Sequence, residues 1–89
     1  MSKDLLMVTI QIVGEMGKFS GIAQRMPELN KDFFQIYVGL TMALTKIWEV
    51  STGKEPGSAV SSGLKPQELL AWARDQIRAS GTAAETGVN

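Results

Sequence analysis

Residues 31–52, KDFFQIYVGLTMALTKIWEVST, carry the clearest helical pattern in the 89-residue chain. Apolar side chains recur there at steps of four and three residues, at Phe33, Tyr37, Leu40, Leu44 and Ile47. This spacing places them on one face of an α-helix. Asn30 is a favourable N-cap, Gly53 suits the position after the last turn, and Pro56 prevents the helix from continuing. The pattern therefore predicts a helix over residues 31–52.

The same stretch is apolar on more than one side. A second row of side chains lies beside the first, formed by Phe34, Val38, Thr41, Thr45 and Trp48. A surface helix usually has an apolar stripe of about 100°, and this helix is apolar over about twice that width. We therefore expect an interface here, with five candidate residues: Phe33, Phe34, Tyr37, Val38 and Trp48. Trp48 suits the core and the interface equally, whereas Trp72 is expected in the core.

The segment before this helix allows two interpretations. As a helix over residues 3–25, it presents one apolar face, formed by Leu5, Val8, Ile12, Met16, Phe19, Ala23 and Met26. As a strand, residues 5–13 contain a short alternation of apolar and polar side chains. We favour the helix, because a strand needs a partner and the rest of the chain offers no convincing one. Pro27 would end this helix, since it disfavours the helical conformation of the residue before it.

Three glycines share a neighbouring face of the predicted first helix. Gly14, Gly17 and Gly21 lie at steps of three and four residues. Each glycine costs a helix roughly 0.8–1 kcal/mol relative to alanine. Three of them on one face are useful where another backbone packs closely, so they are also candidate interface residues.

The C-terminal part of the chain predicts a loop, a shorter third helix and a tail. Residues 53–63 are rich in glycine and serine and predict a long loop, either mobile or used as a contact site. Pro66 suits the first position of a helix and Glu68 the third, which predicts a helix over residues 66–80. Residues 82–89 show no periodicity and predict a flexible tail.

Together these segments predict a single all-α domain over residues 1–81, a helical hairpin followed by a shorter helix. Below about 70–80 residues a single core rarely supplies more than roughly 3–5 kcal/mol, and the ordered part of this chain is near that size. The third helix is too short to cover the apolar surface of the helix at 31–52. We therefore expect a homo-oligomer, most simply a two-fold homodimer.

Composition excludes much of the usual catalytic and metal-binding chemistry. The chain has no cysteine and no histidine, so thiolate nucleophiles, the commonest general base and the commonest zinc ligand are missing. Ser61 and Ser62 lack a histidine to activate them, and a pairing with Lys65 would lie in the predicted loop. Four acidic residues show no paired-carboxylate spacing and are expected to be solvated on helix surfaces: Glu15, Glu28, Asp32 and Glu49. We expect no enzyme activity, no cofactor and no metal.

Charge and the N-terminal segment bear on partners and compartment. Nine basic and nine acidic residues give a formal net charge of zero. A sequence-independent nucleic-acid binder needs several basic side chains on the phosphates, so we expect no nucleic-acid partner. Asp4 and Gln11 make the first residues a poor match to a signal peptide. The expected compartment is the cytoplasm.

These features favour a small, non-enzymatic protein–protein interaction module. Such a module would self-associate and would bind or inhibit a protein partner, in the manner of a regulator, an assembly chaperone or a phage-encoded inhibitor. The sequence does not identify that partner.

Two alternatives remain. A membrane-associated helical hairpin would place spans at residues 5–23 and 33–50. Glu15 and Lys18 disfavour it, because charges near a bilayer centre cost roughly 2.5–3.5 kcal/mol each. A filament-forming structural subunit is the other alternative, since heterologous packing of the same apolar faces would polymerise.

Overall fold

The computed structural model describes residues 1–81, and every regular element in that part of the chain is helical. In chain order these are α1 (Lys3–Arg25), a 3-10 turn (Pro27–Leu29), α2 (Asn30–Thr52), α3 (Ser58–Ser61) and α4 (Pro66–Ala79). The long helices α1 and α2 pack together, and α4 packs against both. This confirms the predicted all-α hairpin with a shorter helix packed on it. The predicted tail at 82–89 lies outside the described residues.

The first helix begins and ends where the sequence predicts. The Ser2 hydroxyl accepts a hydrogen bond from the Leu5 N–H at 3.2 Å and so caps the first turn. Asp4 lies in the first turn and Arg25 in the last, each at the end of the helix dipole that favours its charge. Residues 5–13 are helical, so the strand interpretation is wrong.

The buried face of α1 is rotated relative to the prediction. Its buried residues are Thr9, Ile12 and Met16. Val8, which we expected on that face, is 44% exposed. Thr9 can lie in the interior because its hydroxyl donates to the Leu5 carbonyl at 2.7 Å, so burial does not leave this group unpaired.

The second helix begins one residue earlier than predicted. The 3-10 turn leads directly into it, so Asn30 is the first helical residue, and its N–H donates to the Pro27 carbonyl. Within the described residues no side chain caps this end, and the N-cap role predicted for Asn30 is wrong. The other end is as predicted: Gly53 has a left-handed φ of 69°, and the Lys54 N–H donates to the Glu49 carbonyl at 2.9 Å.

Residues 53–63 contain a helical turn that the sequence analysis missed. α3 is four residues long and follows Gly57, whose φ of 86° lies in the left-handed region. Ala59 within it is fully buried, and the turn packs against α2. The prediction of a continuous loop is therefore wrong, because tertiary contacts to Glu49 of α2 order this turn.

The last helix, α4, starts at Pro66 as predicted and ends at Ala79, one residue before the predicted end. The Lys65 N–H donates to the Glu68 carboxylate at 2.8 Å, so Glu68 caps the first turn. Gly81 follows the last turn with a left-handed φ of 82°.

The core lies where α1, α2 and α4 meet. Its cluster of buried residues draws on all three helices: Ile12, Met16, Leu44, Ile47, Leu69 and Ala73. Trp48 and Trp72 are half-buried and pack against this cluster, which is where we expected Trp72. Among the described residues ten large apolar side chains stay exposed, whereas eight hydrophobic residues are buried and two of these are alanines. Within residues 1–81, one copy therefore leaves ten large apolar side chains exposed.

Candidate interaction surface

An apolar groove opens between the second half of α1 and the first half of α2. Its volume is about 460 Å³, within the range of roughly 300–1,000 Å³ that is typical of binding sites. Eight residues line it: Phe19, Ser20 and Ala23 from α1, and Asn30, Lys31, Phe33, Phe34 and Tyr37 from α2. No residue of α4 is among them, so the groove lies where the third helix leaves the hairpin uncovered.

Aromatic rings form the wall of the groove. The rings of Phe19 and Phe33 contact each other in a tilted geometry, with centroids 5.2 Å apart and planes at 46°. Aromatic pairs favour tilted contacts over a face-to-face stack. Both residues are half-buried, as is Tyr37 one turn further along α2. The pair joins α1 and α2, so this wall belongs to the fold of a single copy.

Phe34 lies at the rim of the groove and is 67% exposed. Val38 and Met42 follow at steps of four residues and are 40% and 67% exposed. Residues four apart are neighbours on a helix surface, and we refer to Phe34, Val38 and Met42 as the α2 stripe. Groove and α2 stripe form one apolar surface, because Phe34 belongs to both.

Three polar residues complete the lining of the groove: Ser20, Asn30 and Lys31. Lys31 is the one charged residue among the eight that line it, and none of the eight is acidic. The ion pairs between described residues involve other cations, namely Lys18, Lys46 and Arg78. A group that enters the groove would therefore meet aromatic rings and an ammonium group.

The structure brings four of the candidate interface residues together at this surface. Phe33, Phe34 and Tyr37 line the groove, and Val38 follows in the α2 stripe. Trp48 is separate, because it packs against the core cluster and does not line the groove. Ala23 and Phe19 on the facing wall were not singled out as interface residues, since their helical spacing indicated a core face.

Among residues 1–81, the three glycines of α1 do not meet the backbone of another helix or turn. A Cβ atom added at Gly14 or Gly17 would find no neighbouring atom within 4 Å in the described structure. At Gly21 it would meet the Arg25 guanidinium at 3.8 Å, an ordinary contact with a flexible side chain. The close backbone packing that we expected at this face is thus not made within one copy.

Glu49 has a structural role that the sequence did not predict. It was expected to be solvated, and it is 4% exposed. Its Oε2 accepts hydrogen bonds from the Gly57 N–H at 2.9 Å and the Ala59 N–H at 3.2 Å. Lys46, one turn earlier on α2, places its Nζ 4.0 Å from Oε1. The carboxylate therefore binds the start of α3 to α2.

One signal in the sequence points to this role. A glutamate in the last turn of a helix lies at the negative end of the helix dipole, which disfavours its charge. Glu49 precedes the predicted end at Thr52 by three residues. Such a position needs compensation from other hydrogen-bond donors, and the backbone N–H groups after a left-handed glycine supply them.

The other polar candidates form no joint site. Ser61 donates its hydroxyl to the Ser58 carbonyl at 3.2 Å. Glu15 pairs with Lys18 at 3.3 Å on an exposed part of α1. Within residues 1–81 no group of three or more acidic side chains is placed to hold a metal ion.

No protein-family model, curated protein or solved structure matches this chain. One helix in the described part of the chain, α1, is long and apolar enough to cross a membrane, by length and composition alone. Core helices of soluble proteins and signal sequences also pass this test. Function is therefore inferred from the groove and the α2 stripe.

Proposed function

We propose that this protein is a small interaction module that self-associates through the groove and the α2 stripe and binds or inhibits a protein partner. The exposure of Phe34, Val38 and Met42 beside a preformed aromatic groove carries this proposal. Contiguous exposed apolar surface with polar residues at its edge is characteristic of protein interaction sites. The exposed large apolar side chains on a fold with a small core add support.

The affinity expected from this surface is moderate. Three side chains exposed to this degree offer roughly 300 Å² of apolar surface per copy. Two such surfaces would bury about 600 Å² between two copies, less than the roughly 1,200–2,000 Å² of stable interfaces. We therefore expect a reversible dimer whose population depends on protein concentration.

Solution mass measured by size-exclusion chromatography with light scattering tests self-association. The experiment uses detergent-free buffer and a concentration series. We expect the mass to rise from the 9.6 kDa of one chain towards twice that value. A mass of one chain at every concentration would contradict the proposal, and continued growth beyond a dimer would favour the filament-forming alternative.

A matched pair of variants locates the interface. Phe34→Ala removes the most prominent residue at the rim and should weaken self-association, with helicity unchanged because Phe34 is 67% exposed. Val60→Ala is the control, since Val60 is 78% exposed on α3 and lies outside the groove and the α2 stripe. Equal effects of the two variants would place the interface elsewhere.

The same pair of variants applies to a protein partner. Residues spaced four apart on a helix suit a second helix packed along them. A partner that uses this surface should bind the wild type and Val60→Ala but should lose affinity for Phe34→Ala. Such a partner would also compete with self-association, because both need the same side chain.

A membrane-associated function is the second candidate, because α1 has the length and composition of a membrane span and 17% of its most apolar window is buried in the fold. The exposed ion pair between Glu15 and Lys18 would add to the cost of inserting this helix. Co-sedimentation with phosphatidylcholine vesicles tests this candidate. Pelleting with the vesicles would support it, and full recovery in the supernatant would contradict it.

A further inference from the structure

The groove carries an exposed aromatic side chain at its rim, that of Phe34. Phe34 lines the groove from α2, yet it is 67% exposed. It therefore stands at the rim and leaves the groove, about 460 Å³ in volume, unfilled. The facing wall belongs to α1, where Phe19 and Ala23 lie one helical turn apart.

We propose that Phe34 of a second copy of this chain occupies the groove, and that the two copies exchange this side chain reciprocally. The inference rests on the self-association proposed above and identifies its contact. A two-fold interface brings the same surface of two copies together, so each copy must offer both the side chain that inserts and the groove that receives it. Phe34 and the groove lie on one surface and meet this requirement. Each groove is incomplete without the partner copy.

The chemistry of the groove suits an aromatic ring. The wall residues Phe19, Phe33 and Tyr37 provide ring edges and faces for tilted contacts with an incoming phenyl group. Lys31 also lines the groove, and a lysine ammonium is attracted to the face of an aromatic ring. The zero net charge of the chain leaves little long-range repulsion between two copies.

The area available fits a reversible dimer. Two inserted Phe34 side chains, the two groove walls that receive them and the remaining α2 stripe would bury roughly 700–800 Å² in total. Stable interfaces bury about 1,200–2,000 Å², so the exchange lies at the weak end of dimer contacts. The dimer should therefore dissociate on dilution.

Photo-cross-linking between distinguishable copies tests the exchange. Phe34→p-benzoylphenylalanine keeps an aromatic ring at the rim, and mixing it with a heavy-isotope-labelled wild type separates contacts between copies from contacts within one copy. We expect cross-links between copies to Phe19, Ser20 or Ala23. The control is Val60→p-benzoylphenylalanine, which should not label these residues.

The outcomes separate this inference from the proposed function. A dimer whose cross-links between copies fall on the glycine face of α1 or on α4 would overturn the exchange and leave self-association standing. A dimer without any cross-link from position 34 between copies would overturn it as well. A chain that stays monomeric at all concentrations would overturn both.

A complementation experiment gives a second test. Ala23→Trp fills the groove from its own wall and should weaken dimerisation at least about tenfold, as should Phe34→Ala. The first variant retains Phe34, and the second retains the groove except for the Phe34 side chain at its rim. A mixture of the two therefore restores one of the two contacts. We expect the mixture to associate more tightly than either variant alone. No gain on mixing, with both variants helical by circular dichroism, would contradict the exchange.

Discussion

Glu49 attaches α3 to α2 through a carboxylate that is almost fully buried. Two backbone N–H groups, those of Gly57 and Ala59, donate to its Oε2. Glu49→Ala would leave both donors without their acceptor, and a buried unsatisfied donor costs about 1–3 kcal/mol. We expect the variant to lose about 2 kcal/mol of the free energy of unfolding, measured by urea denaturation.

Two further variants show which property of Glu49 matters. Glu49→Gln keeps an acceptor oxygen but removes the charge, so it should lose about half as much, because charge-assisted hydrogen bonds are roughly twice as strong as neutral ones. Lys46→Ala should cost less than about 0.5 kcal/mol, since this lysine is exposed and lies 4.0 Å away. A loss for Lys46→Ala as large as that for Glu49→Ala would show that the ion pair, and not the backbone contacts, holds α3.

Individual residues were predictable where packing followed apolar periodicity. Phe34 and Val38 were expected at an interface because α2 is apolar over too wide an arc for one neighbour. Both are exposed, and their place in an interface stays a prediction. Thr9 and Glu49 were not expected in the interior, because a polar side chain can be buried only with a partner. The partner of Glu49 lies eight to ten residues ahead, beyond a left-handed glycine, where no periodic pattern reaches.

At the scale of elements, the long helices were predictable because their ends carry local signals. Pro27 stops α1, Gly53 ends α2 and Pro66 starts α4, each through its own backbone geometry. α3 could not be predicted from local signals, since the hydrogen bonds of one isolated turn do not offset the free-energy cost of helix nucleation. Its contacts with α2 stabilise it. The groove likewise depends on tertiary packing, because its two walls come from different helices.

Substitution of glycine by alanine should raise the free energy of unfolding within α1 and lower it at the C-terminal end of α2. Gly17→Ala adds a Cβ into open space within a helix, so it should stabilise one copy by about 0.8–1 kcal/mol. Gly53→Ala places a side chain at a left-handed φ of 69° and should cost about 1–2 kcal/mol. Thermal unfolding checks both, at about 4–8 °C per kcal/mol for a domain of this size.

The glycine variant also distinguishes between two dimer surfaces. With the groove exchange, Gly17 lies outside the contact, so Gly17→Ala should leave the dissociation constant unchanged. If the glycine face packs closely against a second copy, the added methyl groups should weaken the dimer even as they stabilise the helix. Light scattering on the same samples measures this difference.

At the scale of the whole molecule, the short length of α4 links folding to association. It closes the core at Leu44 and Ile47, but it does not reach the groove near Phe33 and Tyr37. A second copy would complete the burial that a longer third helix would provide. If the chain self-associates as proposed, the small core and the exposed α2 stripe are one feature, because apolar surface left uncovered in one copy would stabilise a folded dimer.

This link predicts that thermal stability depends on protein concentration. A dimer that forms only from folded chains shifts its midpoint upward as concentration rises, by mass action. Over about two decades of concentration the melting temperature of the wild type should rise by roughly 5–10 °C. The melting temperature of Phe34→Ala should hardly depend on concentration and should equal that of the wild type at high dilution. The melting temperature of Val60→Ala should rise with concentration as it does for the wild type. A melting temperature of the wild type that is independent of concentration would mean that one copy folds without help from the second and would contradict the proposed self-association.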